Sequence, residues 1–210
     1  MQKTAIILGA TGLTGSCVLQ QLIANDHYAS IKLFSRKASG VNHPKVEEFI
    51  GDLLHLETFE SDFTGDEVYC CIGTTKKKTA DTNVYRTIDV GIPACAAQLS
   101  KMNGIETFAV VSAIGANSKS SVRYNRMKGD MEQSVTSAEI VRTYIVRPSF
   151  IAGNRQERRS GEKIGLAVFK VLKFLIPKKY RAVKANDIAA LMIALCGAKT
   201  PSCIAESSDI

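Results

Sequence analysis

The chain reads as a doubly wound α/β protein, a parallel sheet with helices on both faces. Three observations predict this. Short β-branched runs alternate with helical patterns from one end to the other. The first strand runs straight into a glycine-rich turn that opens a helix, and no linker, repeat or low-complexity tract breaks the order. Strand and crossover helix in alternation give parallel pairing and a sheet covered on both sides. The expected organisation is a single domain, 1–210, with residues 149–184 forming a small C-terminal lobe on the substrate side of a cleft.

The elements follow in order. Residues 4–8 form the first strand. The helix after it, 13–25, places Val18, Leu19, Leu22 and Ile23 on one side. Strands are expected at 31–35, 46–50 and 67–72. A longer helix then carries Tyr85, Ile88, Ile92, Cys95, Ala96, Leu99 and Met102 at helical spacing. Pro93 lies within it, as a kink or as the true first turn. Residues 106–111 form the fifth strand, 121–137 a helix striped by Tyr124, Met127, Met131 and Val135, and 140–146 the sixth strand. Beyond Pro148 come the Arg-rich run 155–159 and an apolar helix over 164–176 that Pro177 stops. Asn186 and Asp187 are expected to cap a last helix through Cys196, before a strand at 202–206.

Composition supports a packed chain: 210 residues, 45% hydrophobic and 22% charged. This length supports one sizeable core and is short for two domains. Disorder would need low hydrophobicity and a large charge imbalance. No run of 18 uncharged apolar residues exists, which excludes a spanning helix. The N-terminal Met1-Gln2-Lys3-Thr4 enters a strand without the apolar core of a secretory signal, so a cytoplasmic location is expected. Cys17, Cys70, Cys71, Cys95, Cys196 and Cys203 contain no C-x-x-C pair, and His27, His43 and His55 are scattered. Reduced, packed thiols and no metal site are therefore expected. The net charge of +7 suits an anionic partner. No nucleic-acid reader motif or stacking platform accompanies it.

The first chemical signal is Gly9-Ala10-Thr11-Gly12-Leu13-Thr14-Gly15, between strand and helix. A pyrophosphate needs close backbone N–H groups and the positive end of a helix dipole, and glycines permit the turn and the approach. With 15 glycines in 210 residues, chance supplies only about 0.07 patterns with this spacing. This is the phosphate loop of a Rossmann-type sheet. The second strand ends in Ser35-Arg36-Lys37. A site for an unphosphorylated ribose would place an acidic residue there, whereas Arg accommodates a 2′-phosphate. NADP(H) is the expected cofactor.

The second signal is a tyrosine four residues before a lysine, which puts both on one helix face. An ammonium beside a phenol suits it to proton transfer. Three such pairs occur: Tyr28/Lys32, Tyr124/Lys128 and Tyr180/Lys184. Ligands in open α/β sheets bind beyond the carboxyl ends of the strands. Tyr28 precedes a strand, and Tyr180 falls in a loop beside Pro177. Tyr124 follows the fifth strand, whose carboxyl end carries Ser112, placed to hydrogen-bond a substrate carbonyl. Tyr124, Lys128 and Ser112 are the expected catalytic residues.

Together these residues resemble the short-chain dehydrogenase/reductase superfamily in its extended or atypical branch; Gly51-Asp52 and Arg147-Pro148 fit the same pattern. Cys70-Cys71-Ile72-Gly73-Thr74-Thr75, Arg147-Pro148-Ser149 and the stretch Arg155, Glu157, Arg158, Gly161-Glu162 are similar to its Tat-interacting-protein-like members. The resemblance implies that Asp52 and Leu53 meet the adenine, Gly73 and Thr74 line the cofactor, Lys128 holds the ribose and Pro148 approaches the nicotinamide. Ala113 departs from relatives that often carry a second hydroxyl after Ser112. Two functions follow. One is an NADPH-dependent oxidoreductase acting on a carbonyl-type small molecule. The other is an NADP(H)-binding regulatory module that meets a protein partner through 155–159. Lys76-Lys77-Lys78 is expected to be a solvated loop. The apolar 163–176 segment suits burial against the cleft or a second subunit, and leaves homo-oligomerisation open.

Overall fold

The structure, a computed structural model, describes residues 2–74, 79–152 and 177–210. Its main sheet contains β1 (Lys3–Leu8), β2 (Tyr28–Ser35), β3 (Val46–Ile50), β4 (Glu67–Cys70), β5 (Thr107–Val111), β6 (Arg142–Arg147) and β9 (Cys203–Glu206). They pair in the order β3-β2-β1-β4-β5-β6-β9, every pair parallel. The reversal of strand order beside β1 is the switch point at which such sheets bind ligands.

The central strands are buried on both sides, which is why they read as continuous apolar runs. Successive side chains alternate between two cores. Ile6, Leu8, Val68, Cys70, Phe108 and Val110 face α3 (Ile92–Met102) and α4 (Arg123–Thr136). Ala5, Ile7, Tyr69, Ala109, Tyr144 and Val146 face α1 (Leu13–Ile23) and α5 (Ala185–Ala198). The helical stripes in the sequence supply the other half of each core: Met127, Met131 and Val135 on one side, Val18, Leu19 and Leu22 on the other.

Three elements depart from expectation. Strand β2 opens at Tyr28, three residues before the expected 31, so Tyr28 is its first residue and does not precede it. The long helix is in three parts: α2 (Thr82–Arg86), a π turn over Thr87–Gly91, and α3 with Pro93 in its first turn. Proline has no N–H to return to the carbonyl four residues back. The ladder widens instead, and the Ile92 N–H reaches Thr87 O. In α5 the cap residue is Lys184, without a side-chain cap, and Asn186 lies in the first turn. Asn186 is engaged elsewhere: its carboxamide and carbonyl oxygens accept from Gln21 Nε2 of α1 at 2.9 and 3.0 Å. Asp187 still favours the helix through its dipole.

At the amino edge of the sheet, Glu67 accepts from the Tyr28 and Tyr69 hydroxyls, both at 2.7 Å, and pairs with Lys3. The Tyr28 phenol is thus committed at the edge opposite the ligand end. Two short parallel strands, β7 (Ile151–Ala152) and β8 (Val183–Lys184), flank the remainder of the expected lobe. Its Arg run 155–159 and apolar segment 164–176 lie outside the described residues, as does 76–78. Among the described residues no helix is long and apolar enough to cross a membrane.

Burial gives the fold an alkaline limit. It pushes the Cys70 thiol up to about 11 and raises Cys71 and Cys196 further. Burial likewise raises Tyr28 and Tyr69. Above the thiol reference value the unfolded chain loses protons that the folded chain keeps, so stability falls as pH rises. Each such thiol should remove about 1.4 kcal/mol per pH unit from about pH 9 up to its folded value. Urea unfolding at pH 8, 9 and 10 checks this, and an unchanged midpoint would refute it.

Candidate active site

The loop after β1 is shaped by backbone contact. Gly9 has φ +85°, and a Cβ there would lie 2.8 Å from Cys71 O. A Cβ on Gly15 would lie 2.1 Å from Gly9 O, so α1 packs against the turn with only a hydrogen between them. Gly12 heads α1 with no side-chain cap, and no acidic residue occupies the first turn. Thr11 and Gly12 are exposed, Leu13 is half-buried and Thr14 is buried. Uncapped N–H groups at a helix start that opens on glycine, with no acidic side chain beside them, form a cradle that fits a pyrophosphate.

Beside it, Ser35 closes β2; its hydroxyl donates to Lys37 O at 2.7 Å, and its carbonyl accepts from Gly51 N at 3.0 Å. Arg36 and Lys37 are exposed and form no ion pair among the described residues. Asp52 caps a 3₁₀ turn by accepting from Leu54 N at 3.0 Å. Leu53 is buried in the core, so only its backbone is offered to an adenine. Gly73 is exposed after β4, and Thr74 donates its N–H to Asp89 Oδ2 at 2.9 Å.

Helix α4 is held close to the loop after β5. A Cβ on Gly129 would lie 2.1 Å from Ser118 N, and Asn117 N donates to Asn125 O at 2.9 Å. This contact fixes the first turns of α4, where Tyr124 stands. Tyr124 is 45% exposed and lines a pocket of about 250 Å³ with Thr79, Ala80, Thr82, Tyr85, Arg123 and Met127. The Tyr85 hydroxyl points to Thr74 O at 3.4 Å. Its phenol is pushed up to about 12, by burial first and then by Asp89.

One turn on, Lys128 is 5% exposed and faces Asp89 Oδ1 at 3.3 Å. Sequence reasoning missed Asp89, although a lone carboxylate between Ile88 and Val90 on an apolar helix was a readable signal. Another turn on, Glu132 accepts from the Ser112 hydroxyl at 2.5 Å and from Arg147 Nε and Nη2 at 2.9 and 2.6 Å. Arg147 Nη1 also reaches Glu206 at 3.0 Å. These bonds, Glu132 first, hold the guanidinium strongly charged. Ser112 is therefore buried with its hydroxyl donating to Glu132, turned into the ties among β5, α4, β6 and β9. Pro148 is buried, and its carbonyl accepts from Ile114 N at 2.9 Å.

Neither of the other two tyrosine–lysine pairs lines this pocket. Tyr28 is bound to Glu67 at the amino edge, and Tyr180 is exposed in a short 3₁₀ turn.

Residues 9–197 match the family described as NAD(P)H-binding. Among curated relatives, protein HTATIP2 of Rattus norvegicus is 29% identical over 171 residues, which is 80% of this chain and 70% of that protein. The mitochondrial protein FMP52-1 of Scheffersomyces stipitis is 32% identical over 177 residues, 82% of this chain and 76% of that protein. Among solved structures, the Bordetella bronchiseptica enzyme WbmH in complex with NAD⁺ superposes with a TM-score of 0.72 at 16% identity, covering 96% of this chain and 75% of that one. The likeness shows the fold. The expected cytoplasmic location does not stand, because the FMP52 relatives from S. stipitis and three further fungi are named mitochondrial. The absence of a readable secretory signal carries no information about that organelle.

Proposed function

The chain belongs to the NAD(P)H-binding family, as an atypical short-chain dehydrogenase/reductase of the HTATIP2 type, and on that premise we propose that it is an NADPH-dependent oxidoreductase acting on a carbonyl-type small molecule. The observation that carries the reading is the pocket beside Tyr124. Its phenol stands at the carboxyl edge of the sheet one turn from a buried lysine, on the edge that also holds the glycine cradle.

The cradle at Gly9–Gly15 would hold the pyrophosphate, Arg36 and Lys37 the 2′-phosphate, and Gly73, Thr74 and Pro148 the walls toward the nicotinamide. When bound, the reduced nicotinamide supplies a hydride to the substrate carbonyl carbon. Tyr124 gives its phenolic proton to the carbonyl oxygen, and Lys128 holds the ribose and stabilises the phenolate left behind. The Ser112 hydroxyl donates to Glu132 and not toward the pocket, so we assign it to the framework. Met127 and the ring of Tyr85 give the substrate an apolar wall.

Thermal unfolding with NADPH, NADP⁺, NADH or no ligand tests the reading. At one hundred times the dissociation constant a cofactor should add about 2.7 kcal/mol. Replacing Arg36 and Lys37 by Gln should weaken NADPH by about tenfold to a hundredfold and leave NADH nearly unchanged, the size of a lost charge-assisted contact. Equal weakening of both would remove the 2′-phosphate assignment. No shift with any dinucleotide would remove the oxidoreductase reading.

A further inference from the structure

We propose that Asp89 is a positioning residue that holds the Lys128 ammonium in place and ties it to the loop at Gly73–Thr74. The inference rests on the reading of Tyr124 and Lys128 as the proton-handling pair and adds the group through which that pair is aligned.

Asp89 is 1% exposed, and its two oxygens are used differently. Oδ2 accepts the Thr74 N–H at 2.9 Å, and Oδ1 faces Lys128 Nζ at 3.3 Å. A buried carboxylate without these partners would cost several kcal/mol. A buried ion pair of this kind adds little net stability over apolar residues of the same size. Its value therefore lies in geometry. No hydrogen bond from Lys128 Nζ to a described residue forms. Asp89 thus neutralises the ammonium and leaves it donors for ribose hydroxyls and the phenol.

The backbone explains why Asp89 is available. The π turn before α3 turns Asp89 and Val90 inward while Thr87 stays outside. Pro93 enforces that wide turn by returning no N–H to Asp89 O. One carboxylate then connects three elements: the loop after β4, the π turn and α4. A cofactor settling against Gly73 and Thr74 meets an ammonium already fixed by the same group.

A double-mutant cycle of Asp89→Asn, Lys128→Met and both together tests this, read by NADPH fluorescence titration and by melting without ligand. Asp89→Asn should weaken NADPH about tenfold, the size of one charge-assisted contact. The double variant should bind no more weakly than Lys128→Met alone, because Asp89 acts through Lys128. It should also melt above Lys128→Met, which leaves the Asp89 carboxylate buried without its counter-charge. Losses that simply add would overturn the inference and leave Asp89 as an anchor of the loop alone. Should Asp89→Asn fail to fold, the double variant against Lys128→Met still decides: equal binding supports the proposal, and a further loss overturns it. A wild-type chain that binds no dinucleotide would remove the parent reading and this inference with it, whereas wild-type binding with additive losses removes only the inference.

Discussion

Tyr124→Phe is expected to lower turnover about 10²- to 10⁴-fold, the usual contribution of a positioned proton donor, with the NADPH dissociation constant unchanged. The substitution removes one hydroxyl and nothing else. That hydroxyl forms no hydrogen bond within the described residues, and the ring is half-open to solvent, so the melting temperature should hold. The assay is NADPH oxidation across a panel of carbonyl compounds, with binding titrated separately. Retained turnover would sink the assignment. Tyr85 shares the pocket and would then be the next candidate, but its hydroxyl rests on Thr74 O and its phenol is pushed up to about 12. A donor with so high a value gives up its proton poorly near neutrality. Loss of turnover together with loss of cofactor binding would mean that the hydroxyl holds the cofactor, and that its proton is not its only role.

The carboxyl edge of the sheet was legible because its requirements are local. A glycine turn between strand and helix, a basic pair at the end of the second strand and a tyrosine one turn before a lysine are each set by spacing along one segment. Choosing Tyr124/Lys128 over Tyr28/Lys32 needed only the sense of the strands; the contact of Tyr28 with Glu67 at the amino edge is a separate, long-range fact. What could not be read were partners from distant segments. Ser112 is 20 residues from Glu132, and Glu132 is 15 from Arg147, yet these decide where the serine proton points. Asn186 misled as a cap because Gln21, 165 residues away, takes its side chain. Asp89 was legible as a lone carboxylate in a helical stripe, but the π turn that rotates it inward and its pairing with Lys128 were not. The pair β7 and β8 is two residues long in each strand, too short to show any period.

Gly15→Ala should abolish tight NADPH binding, a loss of at least about 100-fold, because two or more backbone contacts to the pyrophosphate fail together. The reason is geometric. The added methyl would lie 2.1 Å from Gly9 O and 3.1 Å from Ala10 Cα, and both are backbone atoms that cannot rotate aside. Helix α1 must then retreat from the turn, and the N–H groups at its start no longer converge where Gly12 N now meets Gly9 O at 2.9 Å. Overpacking of this kind should also cost about 1–3 kcal/mol of stability. A glycine in open space separates that cost from the binding effect. Gly197, in α5, has nothing within 4 Å of a built Cβ, so Gly197→Ala should gain up to about 1 kcal/mol through helix propensity. The double variant Gly15→Ala/Gly197→Ala recovers stability without recovering the cradle. If it regains NADPH binding, the Gly15 defect was one of folding. If it melts near the wild-type temperature and still binds no NADPH, the closeness of α1 to the turn after β1 is itself the cofactor site.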